Sequence, residues 1–218
     1  MQNKHNLKMS YRLYAEYIIT ATVFLPLITA FLNYKRLTWP LKIILYFLLF
    51  SGILNLIAII LAHHHRHTLS LLHIFTIFEF AFISLFYLNL FKKSWRKPIL
   101  ILIGAFSLLC IVNLIFIQTG LQFNTYTLSL EAVIIIGYCV QFLNQQSSID
   151  TEHSWGSNSL NWINAGILIY YASGLFMFIA SNYFLQHKEL AVFIYPILDT
   201  FLLFEYILFA IGFYKCKQ

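Results

Sequence analysis

Acidic residues inside apolar stretches are the side chains of this sequence that could do chemistry. The chain has eight aspartates and glutamates, and five of them fall within or at the edge of long apolar segments: Glu16, Glu79, Glu131, Asp199 and Glu205. Such residues usually face the interior of a helical bundle, because an ionised side chain at the bilayer centre costs roughly 2.5–3.5 kcal/mol. Two carboxyls held close together would share a proton or bind a cation. The alternative is protonated glutamates that bond across helix interfaces.

The predicted ligand-binding or proton-binding set joins these acids to three other polar residues. It comprises Glu79, Glu205, His73, Asp199, Glu16, Glu131, Asn55 and Asn113. Glu79 and Glu205 are expected near the middle of the membrane, and the others closer to its extracytoplasmic face. His73 and Glu79 are six residues apart, which on a helix means about 9 Å of rise and roughly 120° of rotation. We therefore expect the partners of each acid to come from other helices.

Histidines form a second, weaker candidate site. His63 and His67 have the i, i+4 spacing that lets two imidazoles on one helix face bind one metal ion. A haem held between His73 and a histidine of the second helix is a further alternative. The sequence contains no G-x-S-x-G or H-E-x-x-H motif, so no catalytic residue and no resident cofactor are predicted.

The elements that must position these residues are membrane-spanning helices. Hydrophobic residues make up 60% of the 218 residues and charged residues only 10%, against about 25% in soluble domains. Each crossing needs about 20 mostly apolar residues. Seven crossings are predicted near 14–32, 41–62, 69–90, 98–118, 127–143, 161–181 and 191–214. The fifth is short and polar at its start, so the alternative is a bundle of six. The fold class is all-α, a single polytopic transmembrane domain over residues 1–218.

The basic residues lie in the predicted loops rather than in one patch, which argues against nucleic-acid binding despite a net charge of +6. With seven crossings, nine lysines and arginines fall on one side and five on the other. The positive-inside rule then predicts a cytoplasmic C-terminus and an extracytoplasmic N-terminus in the cytoplasmic (plasma) membrane. The basic loop of Lys92, Lys93, Arg96 and Lys97 could receive a cytoplasmic partner. For the first segment, a cleaved signal peptide ending near Ala30 is the alternative.

Short motifs recur in the same order in the two halves of the chain. The pairs are 75–80 with 201–206 (F-x-x-F-E-aromatic), 11–16 with 126–131 (Y-x-L-x-x-E), and 51–52 with 173–174 (Ser-Gly). They predict a parallel repeat of 11–90 and 126–214, with helix 98–118 as a linker. The alternative is chance similarity between apolar segments. In a repeat, Glu79 and Glu205 would occupy equivalent positions.

This three-plus-one-plus-three layout resembles the SWEET and PQ-loop transporters and the microbial rhodopsins. In its overall sequence pattern the chain also resembles uncharacterised bacterial seven-helix integral membrane proteins. The sequence contains no Pro-Gln dipeptide, which a PQ-loop protein would have. No lysine lies within the predicted last helix, so retinal has no Schiff-base site. The resemblance therefore implies an architecture and no residue roles.

Two functions compete at this point. The first is a seven-helix receptor or sensor with a polar pocket on the extracytoplasmic side, signalling through a cytoplasmic partner. The second is a small transporter or proton-coupled carrier that uses Glu79 and Glu205. A membrane haem or metal protein, or an enzyme, comes third. In every case the lipid bilayer is the first partner.

Overall fold

The computed structural model describes residues 20–64, 69–118, 122–147 and 155–216, and all regular secondary structure in these ranges is helical. Three short 3-10 turns and a three-residue helix before α1 connect and extend the main helices. A π-helical turn continues the fourth helix. The seven main helices are α1 (Phe24–Leu32), α2 (Trp39–His63), α3 (Leu69–Leu90), α4 (Arg96–Val112), α5 (Thr125–Ser147), α6 (Ser159–Gln186) and α7 (Lys188–Lys215). The predicted all-α bundle is confirmed.

Six segments of the described chain are long and apolar enough to cross a membrane: Trp39–His63, Leu69–Leu90, Lys93–Ile117, Thr125–Ser147, Ser159–Phe184 and Pro196–Lys215. Their outer surfaces carry large apolar side chains at a density that soluble proteins do not expose to water. Phe116 is 77% exposed, Ile101 71% and Phe176 70%. Because lipid is the solvent that suits such a surface, the protein is integral to a membrane.

The fifth and first predicted segments have different outcomes. The fifth is a 23-residue helix, α5, so the six-helix alternative that omitted it was wrong. The described part of the first segment contains α1, whose nine residues are shorter than one crossing. Residues 14–19 of that predicted crossing lie outside the described ranges. The seven-helix architecture is confirmed, and a crossing by the first segment stays a prediction.

Local signals explain several helix starts. Pro40 occupies the first turn of α2, where its missing N–H is not needed. The Asn158 side chain caps α6 by accepting a 3.0 Å hydrogen bond from the Leu160 amide. Asn124 precedes α5, and its backbone carbonyl accepts the Leu128 amide at 3.0 Å. The side-chain cap of Asn158 therefore helps to fix where α6 begins.

The helices group into two compact units. In one unit, α3 is central and contacts α2, α4 and α5. In the other, α7 contacts both α6 and α1. The predicted repeat divides the chain differently, since it pairs 11–90 with 126–214 around the linker 98–118. The grouping of helices does not test whether the two halves are similar, so the repeat stays a prediction.

Glycines let α6 and α7 approach closely. A Cβ built on Gly212 would lie 2.8 Å from Cδ1 of Ile163 and 3.1 Å from the backbone oxygen of Ser159. A Cβ on Gly166 would lie 3.3 Å from the backbone oxygen of Glu205. Small residues at such contacts are typical of helix pairs in membranes, where close backbone packing holds helices together.

Replacing Gly212 with alanine should therefore destabilise the protein. The added methyl group must displace Ile163 and the α6 backbone, which we expect to cost about 1–3 kcal/mol. Gly137 is the matched control, because a Cβ there meets nothing within 4 Å. Gly137→Ala should leave stability unchanged or raise it slightly through helix propensity. Thermal unfolding in detergent measures both, and equal midpoints for the two variants would contradict the close contact.

Candidate functional site

Polar contacts join α3 and α5 at both ends of their interface. Near the helix starts, the Asn124 side-chain amide donates a 2.7 Å hydrogen bond to the Thr76 hydroxyl. Near the helix ends, the Tyr87 hydroxyl and the Cys139 thiol lie 3.1 Å apart. Because start meets start and end meets end, the two helices run parallel. Polar groups of both helices therefore share one interface from end to end.

Glu131 is the central group of this interface. Glu131 is 0% exposed, and neither of its carboxyl oxygens has a hydrogen-bond partner among the residues that the structure describes. Glu79 of α3 is also buried and lies within electrostatic range of Glu131. The sequences of α3 and α5 contain no lysine or arginine that could neutralise either acid. Two carboxyls thus share an apolar interior without a lysine or arginine on their own helices.

Helix α4 contributes a third wall to the site. Its Cys110 is buried and lies beside Thr127 and Glu131 of α5. The Thr127 hydroxyl donates to the backbone oxygen of Asn124 at 3.3 Å, within its own helix turn. The groups around Glu131 therefore include a thiol, a hydroxyl already engaged with the backbone, and a second carboxyl.

The orientation of the Asn124 amide is fixed by its partner. The Thr76 hydroxyl donates its one hydrogen to the backbone oxygen of Leu72 at 2.9 Å. It can then only accept, so Asn124 must present its NH₂ group to Thr76. The Asn124 side-chain oxygen is left buried, and it has no partner in the described part of the chain.

A π-helical turn orients a second amide in the same way. The Gln118 amide N–H donates to the Asn113 backbone oxygen at 2.7 Å, which closes a wide turn at the end of α4. The Gln118 side-chain oxygen accepts from the Asn113 side chain at 3.1 Å and from the Tyr126 backbone N–H at 3.3 Å. Because a backbone N–H can only donate, the Gln118 oxygen cannot be exchanged for its nitrogen. The Asn113 side-chain oxygen is thereby left over, buried and unbonded to the described residues.

These constraints leave a set of acceptors that lacks donors. Two carboxyl oxygens of Glu131 and the amide oxygens of Asn113 and Asn124 are buried without a hydrogen bond to the described chain. Buried polar atoms are bonded in the great majority of proteins, so each exception needs an explanation. What this set lacks is a proton, a cation or water, each of which supplies positive charge or donors.

Comparison with models of protein families, with curated proteins and with solved structures gives no match. The chemistry of the chain's own side chains therefore carries the functional argument.

Four of the predicted site residues are buried in the unit of α2–α5, namely His73, Glu79, Asn113 and Glu131. His73 is buried, and its Nε2–H donates to the backbone oxygen of Gln122 at 3.2 Å. This bond connects the start of α3 to the segment that precedes α5. The structure thus collects these residues in and around the α3–α5 interface, although the sequence could not say which acids belong together.

The other predicted site residues are exposed, lie in the other unit or fall outside the described ranges. Glu205 is buried and Asp199 half-buried in α7, which belongs to the other unit. Asn55 is on an exposed part of α2. Glu16 lies outside the described residues. Their part in a site, including the pairing of Glu79 with Glu205, stays a prediction.

The histidine site also stays a prediction. The exposed rings of His63 and His64 have centroids 5.9 Å apart, while His67 lies outside the described ranges. Within those ranges, no group of three or more His, Cys, Asp or Glu residues is placed to hold a metal ion.

Sequence reasoning missed several polar residues beside the acids: Thr76, Cys110, Gln118, Asn124 and Thr127. A usable signal was present, because each lies within about two helical turns of Glu79, Asn113 or Glu131 along the chain. Counting polar residues one or two turns away from each intramembrane acid would have identified Thr76, Asn124 and Thr127. The same count around Asn113 would have identified Cys110 and Gln118.

Proposed function

We propose that this protein is a small proton-coupled carrier whose protonation site is Glu131 together with Glu79. The observation that carries the proposal is the complete burial of the Glu131 carboxyl without a hydrogen-bond partner among the described residues. This is the transporter hypothesis of the sequence, with Glu131 as the central acid instead of Glu205.

The physical argument concerns the charge of the site. An isolated ionised carboxylate in an apolar interior is strongly unfavourable, so the group must take up a proton or a cation, or move into contact with water. A second carboxyl nearby makes simultaneous ionisation of both groups still less favourable. A site that changes its proton content only together with its access to water is what couples a carrier to a proton gradient.

The chemistry of the surrounding groups favours a proton over an organic ligand. A pocket that recognises an organic molecule usually offers placed donors as well as acceptors. The unsatisfied buried atoms of Glu131, Asn113 and Asn124 are all acceptors. Acceptors alone suit a proton carried on a carboxyl group or on water.

A sensor remains the second candidate, supported by the surface between α3 and α4. Lys92, Lys93, Arg96 and Lys97 are all exposed there. Trp95, in the same turn, packs against Phe91 with ring centroids 5.5 Å apart. An exposed basic turn at the end of two spans suits an acidic cytoplasmic partner. The positive-inside rule then places this turn and the C-terminus in the cytoplasm and the N-terminus outside a plasma membrane.

Proton flux into liposomes tests the carrier directly. Purified protein is reconstituted with a pH-sensitive dye inside, and a pH gradient is imposed with valinomycin and potassium to hold the voltage. We expect uptake above that of empty liposomes, and a loss of at least about 100-fold in Glu131→Gln, the usual scale for removing a proton-transfer group. Glu189→Gln, near the start of α7, is the matched carboxyl-to-amide control and should retain the flux.

The result also separates the two candidates. If the unaltered protein carries no protons under any imposed gradient, the carrier proposal falls. A stable complex with a cytoplasmic protein, lost when Lys92, Lys93, Arg96 and Lys97 are replaced by glutamine, would then support the sensor. Equal flux in Glu131→Gln and the unaltered protein would remove Glu131 from the mechanism.

A further inference from the structure

Every seventh residue along α5 and its preceding residue is polar: Asn124, Glu131, Tyr138 and Gln145. Seven residues correspond to 700° on an α-helix, so each side chain falls only about 20° behind the previous one. The four therefore form one stripe along a single helix face. We name it the α5 polar stripe.

Each member of the α5 polar stripe has a buried polar atom that is not hydrogen-bonded to the described chain. These atoms are the side-chain oxygen of Asn124, both carboxyl oxygens of Glu131, the hydroxyl of Tyr138 and the amide nitrogen of Gln145. The next residues along the helix face, such as Ile135 and Phe142, are apolar and buried. The stripe thus threads polar atoms through an otherwise apolar interface.

The α5 polar stripe continues onto α3. The Ser84 hydroxyl lies beside the Tyr138 hydroxyl, and the two make no well-aligned hydrogen bond. Tyr87 follows one turn later and contacts Cys139. On the other side of Glu131, Thr76 contacts Asn124. Both halves of the interface, before and after Glu131, therefore offer hydroxyl or amide groups.

The stripe is long enough to cross the membrane. From Asn124 to Gln145 is 21 residues, or about 32 Å at the rise of an α-helix. The hydrocarbon core of a bilayer is about 30 Å thick. The first member lies at the start of α5, and the last lies two residues before its end at Ser147. Polar groups are therefore available at intervals of about 10 Å through the whole apolar layer.

We propose that water molecules follow the α5 polar stripe on both sides of Glu131, so that a proton reaches the carboxyl along one half of the stripe and leaves along the other half in a separate step. This proposal rests on the proposed function, and it adds the route by which protons reach and leave the site. Buried water typically makes about three hydrogen bonds to polar groups that would otherwise be unsatisfied, and the stripe supplies such groups. Gaps of about 10 Å between members are too long for direct contact and are bridged by water.

The proton steps balance without any further reactant. On one side, a hydronium ion transfers a proton to the Glu131 carboxylate and leaves as water. On the other side, the Glu131 carboxyl releases its proton to a water molecule of the Tyr138 half, which regenerates the carboxylate and a hydronium ion. The Tyr138 and Ser84 hydroxyls both donate and accept, so they orient the water between Glu131 and Gln145.

Tyr138→Phe tests the route, with proton flux in liposomes as the first measurement. The change removes one hydroxyl from the stripe and keeps the ring, and we expect flux to fall about ten-fold, the scale of one lost hydrogen bond. Tyr171→Phe is the matched control, because Tyr171 is also buried, in α6 of the other unit. It should retain the flux.

The outcomes distinguish the route from the site. If Glu131→Gln abolishes flux and Tyr138→Phe leaves it unchanged, the protonation site stands and the route along α5 is wrong. If neither variant changes flux, both proposals fail.

Water along the stripe can be measured without any transport assay. Pulsed X-ray radiolysis generates hydroxyl radicals from water in place, and mass spectrometry locates the oxidised side chains. We expect Tyr138, which is only 6% exposed, to be oxidised in the unaltered protein, and Tyr171, which is 1% exposed, to be protected. Protection of both tyrosines would show a dry interface and overturn the route.

Discussion

Glu131→Met should make the protein more stable while it abolishes proton flux. The glutamate is wholly buried without a hydrogen bond to the described residues, so its removal leaves no broken interaction behind. Methionine has a similar volume and no polar atoms. Replacing buried charged groups with apolar residues of similar size can raise stability by about 1–4 kcal/mol. We expect the free energy of unfolding of Glu131→Met to rise on that scale, and a higher midpoint of thermal unfolding in detergent would show it.

A paired polar group provides the contrast for this prediction. The Thr76 hydroxyl accepts a hydrogen bond from the Asn124 side-chain amide and donates one to the Leu72 backbone oxygen. Thr76→Val therefore leaves the buried NH₂ group of Asn124 without its acceptor. The free energy of unfolding of that variant should be lower by about 1–3 kcal/mol. If Glu131→Met is destabilised as much as Thr76→Val, Glu131 has stabilising partners and is not a site in need of a proton. A variant that is more stable and has lost proton flux would show that Glu131 serves function at a cost in stability.

Composition and apolar segment length predicted the fold well, because the bilayer restricts the possible structures. A segment of about 20 apolar residues can satisfy its backbone in lipid only as a helix or in a closed barrel. The weakest prediction, the crossing near 127–143, is the helix α5 (Thr125–Ser147). The polar residues at the start of α5 made the segment look less like a membrane crossing. The same residues now belong to the candidate site. Thr125, Thr127 and Glu131 are buried against other helices instead of facing lipid.

The site was predictable only in part, because it depends on orientation rather than on residue type. Glu79 and Glu131 could be selected as intramembrane acids, but the predicted repeat favoured Glu205 as the partner of Glu79. The deciding features are the π-helical turn at Asn113 and the hydrogen bonds that fix two amides. The Asn124–Thr76 bond joins segments far apart in sequence, and the π-helical turn is a local departure from the regular α-helix that apolar patterning predicts. The polar spacing of seven in α5 was readable in advance, but its burial was not.

A double-mutant cycle on Glu79 and Glu131 should show that the two acids act as one unit. Each glutamine substitution alone is expected to lower the initial rate of proton flux about 100-fold, because either change breaks the shared protonation site. The double variant should be no slower than either single variant. The coupling energy would then equal about 2.7 kcal/mol, since each ten-fold change corresponds to about 1.4 kcal/mol. Independent acids would instead give multiplied losses and a coupling energy near zero.

A second cycle, on Glu79 and Glu205, makes this prediction specific. The two acids lie in different units, and the predicted repeat would place them at equivalent positions. If protons pass through the α3–α5 interface alone, Glu205→Gln combined with Glu79→Gln should show no coupling beyond about 0.5 kcal/mol, the usual limit for independent sites. Strong coupling in the Glu79–Glu205 cycle and none in the Glu79–Glu131 cycle would instead favour the symmetric site. The central acid of the carrier would then be Glu205, and Glu131 would be a buried acid of another role.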